Sequence, residues 1–525
     1  LDQVVGQLAF GTEGIYGTPT YVSSSYIFLF ILFGAFLEQA GMIDLFTNFA
    51  LGTVGHTKGG PAKVSVVSSG LMGTINGSGV ANVVTTGQFT IPLMKRFGYR
   101  PAFAGGVEAT ASMGGQIMPP VMGAVAFIMA ETLGVEYVEV VKAALIPAVL
   151  YFLGVFWMVH LEAGKRDLRG LTRDQLPSAR AALRQGWYLI LPLAVLVWLL
   201  FSGYTPLFAG TVGLALTGLL ILGGSVVLGL PAGVIRVIFW IILGLVAGAF
   251  FQFGIGVVIA ALVVLAVICA FSQGGRETLA ACRDSLAEGA RTALPVGIAC
   301  ALVGVIIGVM TLTGAANTFG QFIVGVGESS LLLSLILTMI TCIILGMGIP
   351  TIPNYIITSS IAGPALLELG VPLIVSHMFV FYFGILADLT PPVALACFAA
   401  APIAKESGLK ISLEAVKVAA AGFVVPFMAV YTPALMLQDG GPLAQALGYW
   451  PAVVYIVTKT VLAIGLWGAA VIGWLGRPLA VWERALAMAA SFTLIAALPL
   501  TDEVGFALSA LFIGQLWLRH RRAAA

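Results

Sequence analysis

Four short segments carry the residues whose types and spacing suit chemistry. Two are turn-like and rich in glycine and small polar residues: Asn76-Gly77-Ser78-Gly79-Val80-Ala81-Asn82 and Gly346-Met347-Gly348-Ile349-Pro350-Thr351-Ile352-Pro353-Asn354. Glycine lets backbone approach closely, while Ser, Thr and Asn offer neutral oxygens suited to a hard monovalent cation. The other two end in double prolines: Gly114-Gly115-Gln116-Ile117-Met118-Pro119-Pro120 and Ala387-Asp388-Leu389-Thr390-Pro391-Pro392. Two successive prolines remove backbone donors and clash with the preceding turn, so each predicts a broken helix. A break frees carbonyls to coordinate a cation, and the restarted half-helix aims its positive N-terminus at an anion.

Glu108 and Asp388 are carboxylates inside apolar stretches, where such groups are costly enough to suggest function. Asp388 falls within the second break, and Glu108 lies nearer a basic, cytoplasmic end. His377 reads as a solvated residue near the opposite surface. The five cysteines (Cys269, Cys282, Cys300, Cys342, Cys397) form no CxxC pair, which argues against a disulfide framework or zinc site. Four histidines with no HExxH, and no GxxxxGK[ST], leave little basis for an intramembrane enzyme or an ATP-driven pump.

The elements that must position these segments are membrane helices. Of 525 residues 59% are hydrophobic and 9% charged, against roughly a quarter charged in a soluble domain. Apolar runs of membrane-spanning length recur throughout. Spans are expected at about 26–46, 101–131, 141–161, 187–202, 206–223, 232–249, 254–271, 292–313, 372–402, 413–433, 448–473, 485–499 and 504–518. Basic residues gather at Lys58 and Lys63; at Lys95, Arg96 and Arg100; and from Lys165 to Arg184. Further groups are Arg276, Arg283 and Arg291; Lys405 and Lys410; Arg477 and Arg484; and Arg519, Arg521 and Arg522. These seven segments hold 21 of the 25 basic residues, whereas the intervening connections carry acids such as Glu13, Glu136, Glu139, Glu328, Asp439 and Asp502. Placing the basic segments in the cytoplasm alternates consistently only if the stretches at about 64–94 and 332–365 return to the side they entered from. Folded back, each leaves arms near 14 residues, about 21 Å, short of a ~30 Å hydrocarbon core. Such backbone is tolerated at membrane depth only inside protein or along a cavity.

The two stretches are related to each other. An ungapped offset of 272 aligns Asn82 with Asn354, Thr86 with Thr358, Pro92 with Pro364, Gly98 with Gly370, and Pro119-Pro120-Val121 with Pro391-Pro392-Val393. The matches fall on residues that punctuate backbone geometry. One hairpin lies between basic segments and the other between acidic ones, so the repeats are inverted. Paired Gly/Pro-interrupted segments in two inverted halves point to the binding site of a secondary transporter. A passive channel also uses re-entrant hairpins, but here one chain contains both halves.

The stretches GLMGTINGSGVANVVTTGQFTIPLMKRFGYRPAFAGGVEATASMGGQIMPPVMGA (70–124) and GMGIPTIPNYIITSSIAGPALLELGVPLIVSHMFVFYFGILADLTPPVALA (346–396) resemble the large membrane (permease) subunit of TRAP transporters, the tripartite ATP-independent periplasmic family. VANVVTTG, MPPVMGA and ADLTPPVALA are similar to its TAXI branch. The resemblance is dense over about 10–162 and 290–435. It implies an all-α polytopic membrane protein: an inverted-repeat, elevator-type transporter with two re-entrant helical hairpins and two broken helices. The first repeat covers 1–162 (hairpin about 64–94, broken helix about 101–131) and linking scaffold helices cover 163–290. The second repeat covers 291–435 (hairpin about 332–365, broken helix about 372–402), and further C-terminal helices follow over 436–525.

The implied activity is ion-gradient-driven import of small organic anions, typically carboxylates, delivered by a TAXI-type periplasmic binding protein. The alternative is a stand-alone anion/sodium symporter of the same architecture. By resemblance, one cation site lies between Ser78 and Asn82 and the break from Gly115 to Met118. The other lies between Gly346, Gly348 or Thr351 and the break from Ala387 to Thr390, where Thr390 fits the family pattern most closely. Substrate contact is expected at Gly79, Gln116, Asn354 and Asp388. Na+ is the expected coupling ion, with H+ as the alternative and no other cofactor. The expected location is the bacterial inner membrane, multi-pass, with a cytoplasmic C-terminus and no nucleic-acid partner. The helices of a fused small membrane subunit are missing upstream, so that subunit is expected to be separate or the chain to continue upstream.

Overall fold

A backbone in apolar surroundings must satisfy its own hydrogen bonds, so long apolar runs fold as helix and stop where Gly or Pro intervenes. The computed structural model describes the chain except at positions 232, 273, 328–329, 440, 497–498 and 525, and except for the side chains of residues 76, 124, 175, 251, 316, 499 and 520–524. Glu328, Arg521, Arg522 and the Asn76 side chain, which entered the sequence reading, thus lie outside the described residues.

After a short helical stretch over 2–10, helix α1 spans Thr18–Gln39 and α2 spans Met42–Val54. The first hairpin is α3, Gly60–Asn76, and α4, Gly79–Arg96. The first broken helix is α5, Pro101–Gly115, and α6, Val125–Leu133, followed by α7, Tyr137–Lys165. Five helices come next: α8 (Ala179–Phe201), α9 (Pro206–Gly229), α10 (Val234–Phe253), α11 (Ile255–Phe271) and α12 (Gly275–Thr313). Helix α13 (Ala315–Gly327) leads into the second hairpin, α14 (Leu331–Gly346) and α15 (Thr351–Glu368). The second broken helix is α16 (Leu373–Ala387) and α17 (Leu395–Ala404), and α18 (Gly408–Val418) and α19 (Ala420–Tyr431) follow it. The chain closes with α20 (Gly441–Leu447), α21 (Tyr449–Ile472), α22 (Val481–Ala496) and α23 (Pro499–Ala524).

Each hairpin packs both arms on the first half of the broken helix that follows it: α3 and α4 on α5, α14 and α15 on α16. The restarted halves are exchanged. Helix α17 packs on α4 and α5, and α6 packs on α15 and α16. Both Pro–Pro bonds are cis. Across from this unit, α1 lies against α9 and α12, and α12 also touches α15.

Six helices among the described residues are long and apolar enough to cross a bilayer, or seven if α18 and α19, bent by 44°, count as one. The structure corrects several expected boundaries. The span at 26–46 ends at Gln39, because Gly41 (φ +101) turns the chain into α2. The span at 292–313 is the C-terminal part of a 39-residue helix, so Arg276, Arg283 and Arg291 sit on helix rather than in a loop. The hairpin arms run 16 to 18 residues, longer than the expected 14, because helix persists up to the punctuating glycines.

Candidate functional site

Two residues, Gly77 and Ser78, join α3 to α4, and Gly77 adopts φ +68, open to glycine at little cost. Ser78 caps α4, its Oγ accepting from the Ala81 N–H at 3.3 Å. Behind the tip, the hairpin crosses α5 where both chains carry glycine. A Cβ on Gly115 would stand 2.6 Å from the Gly73 Cα. The break then wraps the tip: Thr74 Oγ1 donates to the Met118 carbonyl at 2.7 Å, and the Gln116 amide lies where a Cβ on Gly79 would be. Gln116 Oε1 is buried without a hydrogen-bond partner.

The second tip, between Gly346 and Thr351, repeats this scheme with different atoms. A Cβ on Gly346 would meet the Ala387 Cβ at 3.0 Å, which marks the matching crossing. Gly348 has φ +77 and faces Val393. Asn82 and Asn354 are both buried and spend their amide nitrogens on backbone: Asn82 on the Ser69 carbonyl and Asn354 on the Gly384 carbonyl, each at 2.7 Å. Asn354 Oδ1 has no partner. Asp388 is buried with Oδ1 unpartnered, and it stands at the position of Gln116 under the 272-residue offset. Thr390 Oγ1 donates to the Leu386 carbonyl at 2.7 Å, leaving its oxygen lone pairs available.

Both tips open on one cavity of about 430 Å³. Gly77 and Ser78 border it from the first tip, Pro350 and Thr351 from the second, and Val121, Gly123 and Asp388 from the two breaks. Ile27, Phe30 and Ile31 of α1 and Glu288, Thr292 and Pro295 of α12 close the far wall. Of the expected residues, Ser78, Thr351 and Asp388 therefore face this space. Gly79 and Gln116 touch each other beside it, while Gly115, Met118, Gly346, Gly348 and Ala387 form the tip–break crossings. Asn82, Asn354 and Thr390 do not border it, and their hydrogen bonds tie tip and break backbones in place.

One sequence expectation is corrected: His377 is buried, with Nδ1 2.8 Å from the Tyr355 hydroxyl, rather than solvated. Glu108 is fully enclosed between α3, α4 and α5. Sequence reading missed Glu288, which follows Arg276 and Arg283 in a stretch taken for a loop, and Thr292, which opens the span expected at 292–313. The 288, 292, 295, 296 spacing, one helix face, was the available signal.

The family described as "Tripartite ATP-independent periplasmic transporter, DctM component" matches residues 3–230 and 222–443. The chain belongs to the DctM family. It is therefore a multi-pass membrane protein of a transporter family, and its relatives bear permease names. The C4-dicarboxylate TRAP transporter large permease protein of Pseudomonas aeruginosa is 30% identical over 187 residues, covering 35% of this chain and 43% of that protein. The sialic acid large permease protein of Vibrio cholerae is 27% identical over 184 residues, 35% of this chain and 43% of its own length. The sialic acid permease protein of Haemophilus influenzae is 30% identical over 178 residues, 33% and 28% respectively. This DctM-family chain thus matches under half the length of these curated relatives.

Proposed function

We propose that the chain is the membrane body of a secondary importer of small organic anions. Substrate occupies the cavity between the two hairpin tips, and a monovalent cation, Na+ in the first instance, binds at each tip–break crossing. The single observation that carries this reading is the convergence of both tips and both breaks on one cavity. Helices α4 and α15 begin at its edge, and their positive N-terminal ends suit a carboxylate. Asp388 and Glu288 also border it, and Glu288 has Arg291 3.8 Å away; a cation bound beside the cavity offsets the charge that an anion brings, which ties substrate binding to ion binding. The hairpins and broken helices form the moving unit of an elevator, in inverted repeats, with α1 and α12 on the static side. Substrate arrives from a TAXI-type periplasmic binding protein, and a small membrane subunit completes the scaffold in the inner membrane.

Proteoliposomes supplied with the binding protein test this reading, using a labelled C4-dicarboxylate or sialic acid and imposed sodium and proton gradients applied separately. Uptake that follows a gradient and requires the binding protein is expected. Uptake indifferent to both gradients refutes coupling, and uptake without the binding protein favours the stand-alone symporter.

A further inference from the structure

Glu108 belongs to neither expected cation site, yet five side chains donate hydrogen bonds to it. Its Oε1 accepts from Ser69 Oγ at 2.7 Å, Thr86 Oγ1 at 2.5 Å and Ser112 Oγ at 3.1 Å. Its Oε2 accepts from Ser65 Oγ at 2.6 Å and from Thr90 Oγ1. Every partner is a hydroxyl. The ionisable groups on the helices packed around α5 are engaged elsewhere or exposed. Lys63 of α3 meets His160 of α7; Lys95 of α4 donates to the Ala404 carbonyl, and Arg96 is exposed. On α18, Lys410 pairs with Glu406 and Lys417 with Glu414. On α7, Lys142 pairs with Glu139, Glu162 with Arg166, Tyr151 donates to the Thr110 carbonyl and Lys165 to the Ile472 carbonyl. On α17, Cys397 faces the Leu389 carbonyl.

We propose that Glu108 is a proton-binding site coupled to transport, separate from the cation positions at the tips; this rests on the secondary-transport reading above. The carboxylate is fully buried, and its hydrogen-bond partners are hydroxyls with no cationic side chain among them. The cage accepts both forms. A hydroxyl is donor and acceptor and rotates freely, so five can donate to a carboxylate, or one can turn and accept from a carboxylic acid. A guanidinium or N–H cage would serve the anion alone.

The second repeat is an internal control. At the 272-residue offset Glu108 becomes Val380, Thr90 becomes Ala362 and Ser112 becomes Gly384, while Thr86 is kept as Thr358. On α14, where the crossing glycine moves from 73 to 346, Ser69 becomes Cys342 and Ser65 becomes Thr338, whose hydroxyl has no partner. That hairpin packs on its broken helix with Val380 at the matching position, so packing alone does not require Glu108. The cage also reaches the first tip. The Thr86 hydroxyl has one proton and several acceptors in reach, the nearest being Glu108 Oε1 at 2.5 Å and the Asn82 carbonyl at 2.7 Å. Ionised Glu108 accepts the hydrogen bond of that hydroxyl. Protonated Glu108 donates to Thr86, which then turns its own proton to the Asn82 carbonyl, on the residue whose side-chain amide donates to the Ser69 carbonyl. One proton enters from one side and leaves to the other per cycle.

The test uses the full chain in proteoliposomes with its binding protein, a labelled C4-dicarboxylate, and sodium equal on both sides. Wild type is expected to accumulate label with an inward proton gradient. Glu108→Gln is expected to lose that accumulation while still exchanging internal for external substrate, a process without net proton movement. Glu108→Gln that accumulates like wild type, or wild type indifferent to the proton gradient, overturns the proposal. If wild type neither accumulates nor exchanges, the transport reading falls and the site is judged by infrared titration of the purified protein. There a carboxylic-acid C=O band that vanishes at alkaline pH, moves in Glu108→Asp and is missing in Glu108→Gln supports it. A wild-type spectrum in which no such band depends on Glu108 at any pH overturns it, and the Glu108→Asp comparison suffices if the Gln variant does not fold.

Discussion

Gly115→Ala is the sharpest probe of how the first hairpin meets its broken helix. The added Cβ would lie 2.6 Å from the Gly73 Cα and 3.0 Å from the Gly73 carbonyl carbon, with the Ser69 oxygen at 3.2 Å. Ordinary carbon–carbon contact begins at about 3.5 Å, so the deficit is about 0.9 Å. All three atoms are backbone, and no rotamer change relieves the clash. Helix α3 must move off α5 by nearly that distance and carry Ser78 and the Thr74–Met118 bond with it. Overpacking of this kind costs about 1–3 kcal/mol. The expected outcome is a lower melting temperature in detergent and a cation-induced thermal shift that needs roughly tenfold more Na+. Gly73→Ala should behave alike, since its Cβ would stand 2.7 Å from the Gly115 Cα. Ala387→Gly, which removes the methyl at the matching crossing, should leave the first site unaffected. Melting and Na+ dependence of Gly115→Ala both equal to wild type would refute the close crossing.

Thr390→Val keeps the shape and removes the oxygen; it should weaken cation dependence of uptake about tenfold with melting nearly unchanged, and an unchanged dependence would misplace the second site. Glu288→Gln removes an exposed carboxylate that borders the cavity and releases its partner Arg291, and it should lower the Na+ requirement for substrate binding, measured by substrate-induced thermal shift across Na+ concentrations. Lys459, fully buried on α21, pairs with Asp502, which also accepts from Tyr455 at 2.7 Å. Lys459→Met should destabilise by about 3–5 kcal/mol by stranding Asp502, whereas adding Asp502→Leu should restore much of the loss; equal melting of single and double variants would count against it.

The tips, the double-proline breaks and their 272-residue spacing were legible because they depend on local backbone chemistry. Proline denies a donor wherever it stands, and glycine opens φ > 0 regardless of its neighbours, as at Gly77 and Gly348. Span lengths were less legible. The ends of α1 and α12 depend on where a glycine turns the chain and on how far charged helix extends beyond the apolar stretch, which composition windows blur. His377 was misread because an apolar helix end gives no hint that Tyr355, 22 positions earlier, would cover it.

The sequence by itself thus determined two hairpins, two broken helices and membership of a membrane class, since each follows from short-range sterics and apolar content. Only the tertiary structure decided that both tips share one cavity, that α12 walls it with Glu288, and that five hydroxyls from three helices enclose Glu108. The physical reason is that backbone breaks are written into neighbouring residues. A cavity or a hydrogen-bond cage exists only where packing brings distant side chains to within a few ångströms.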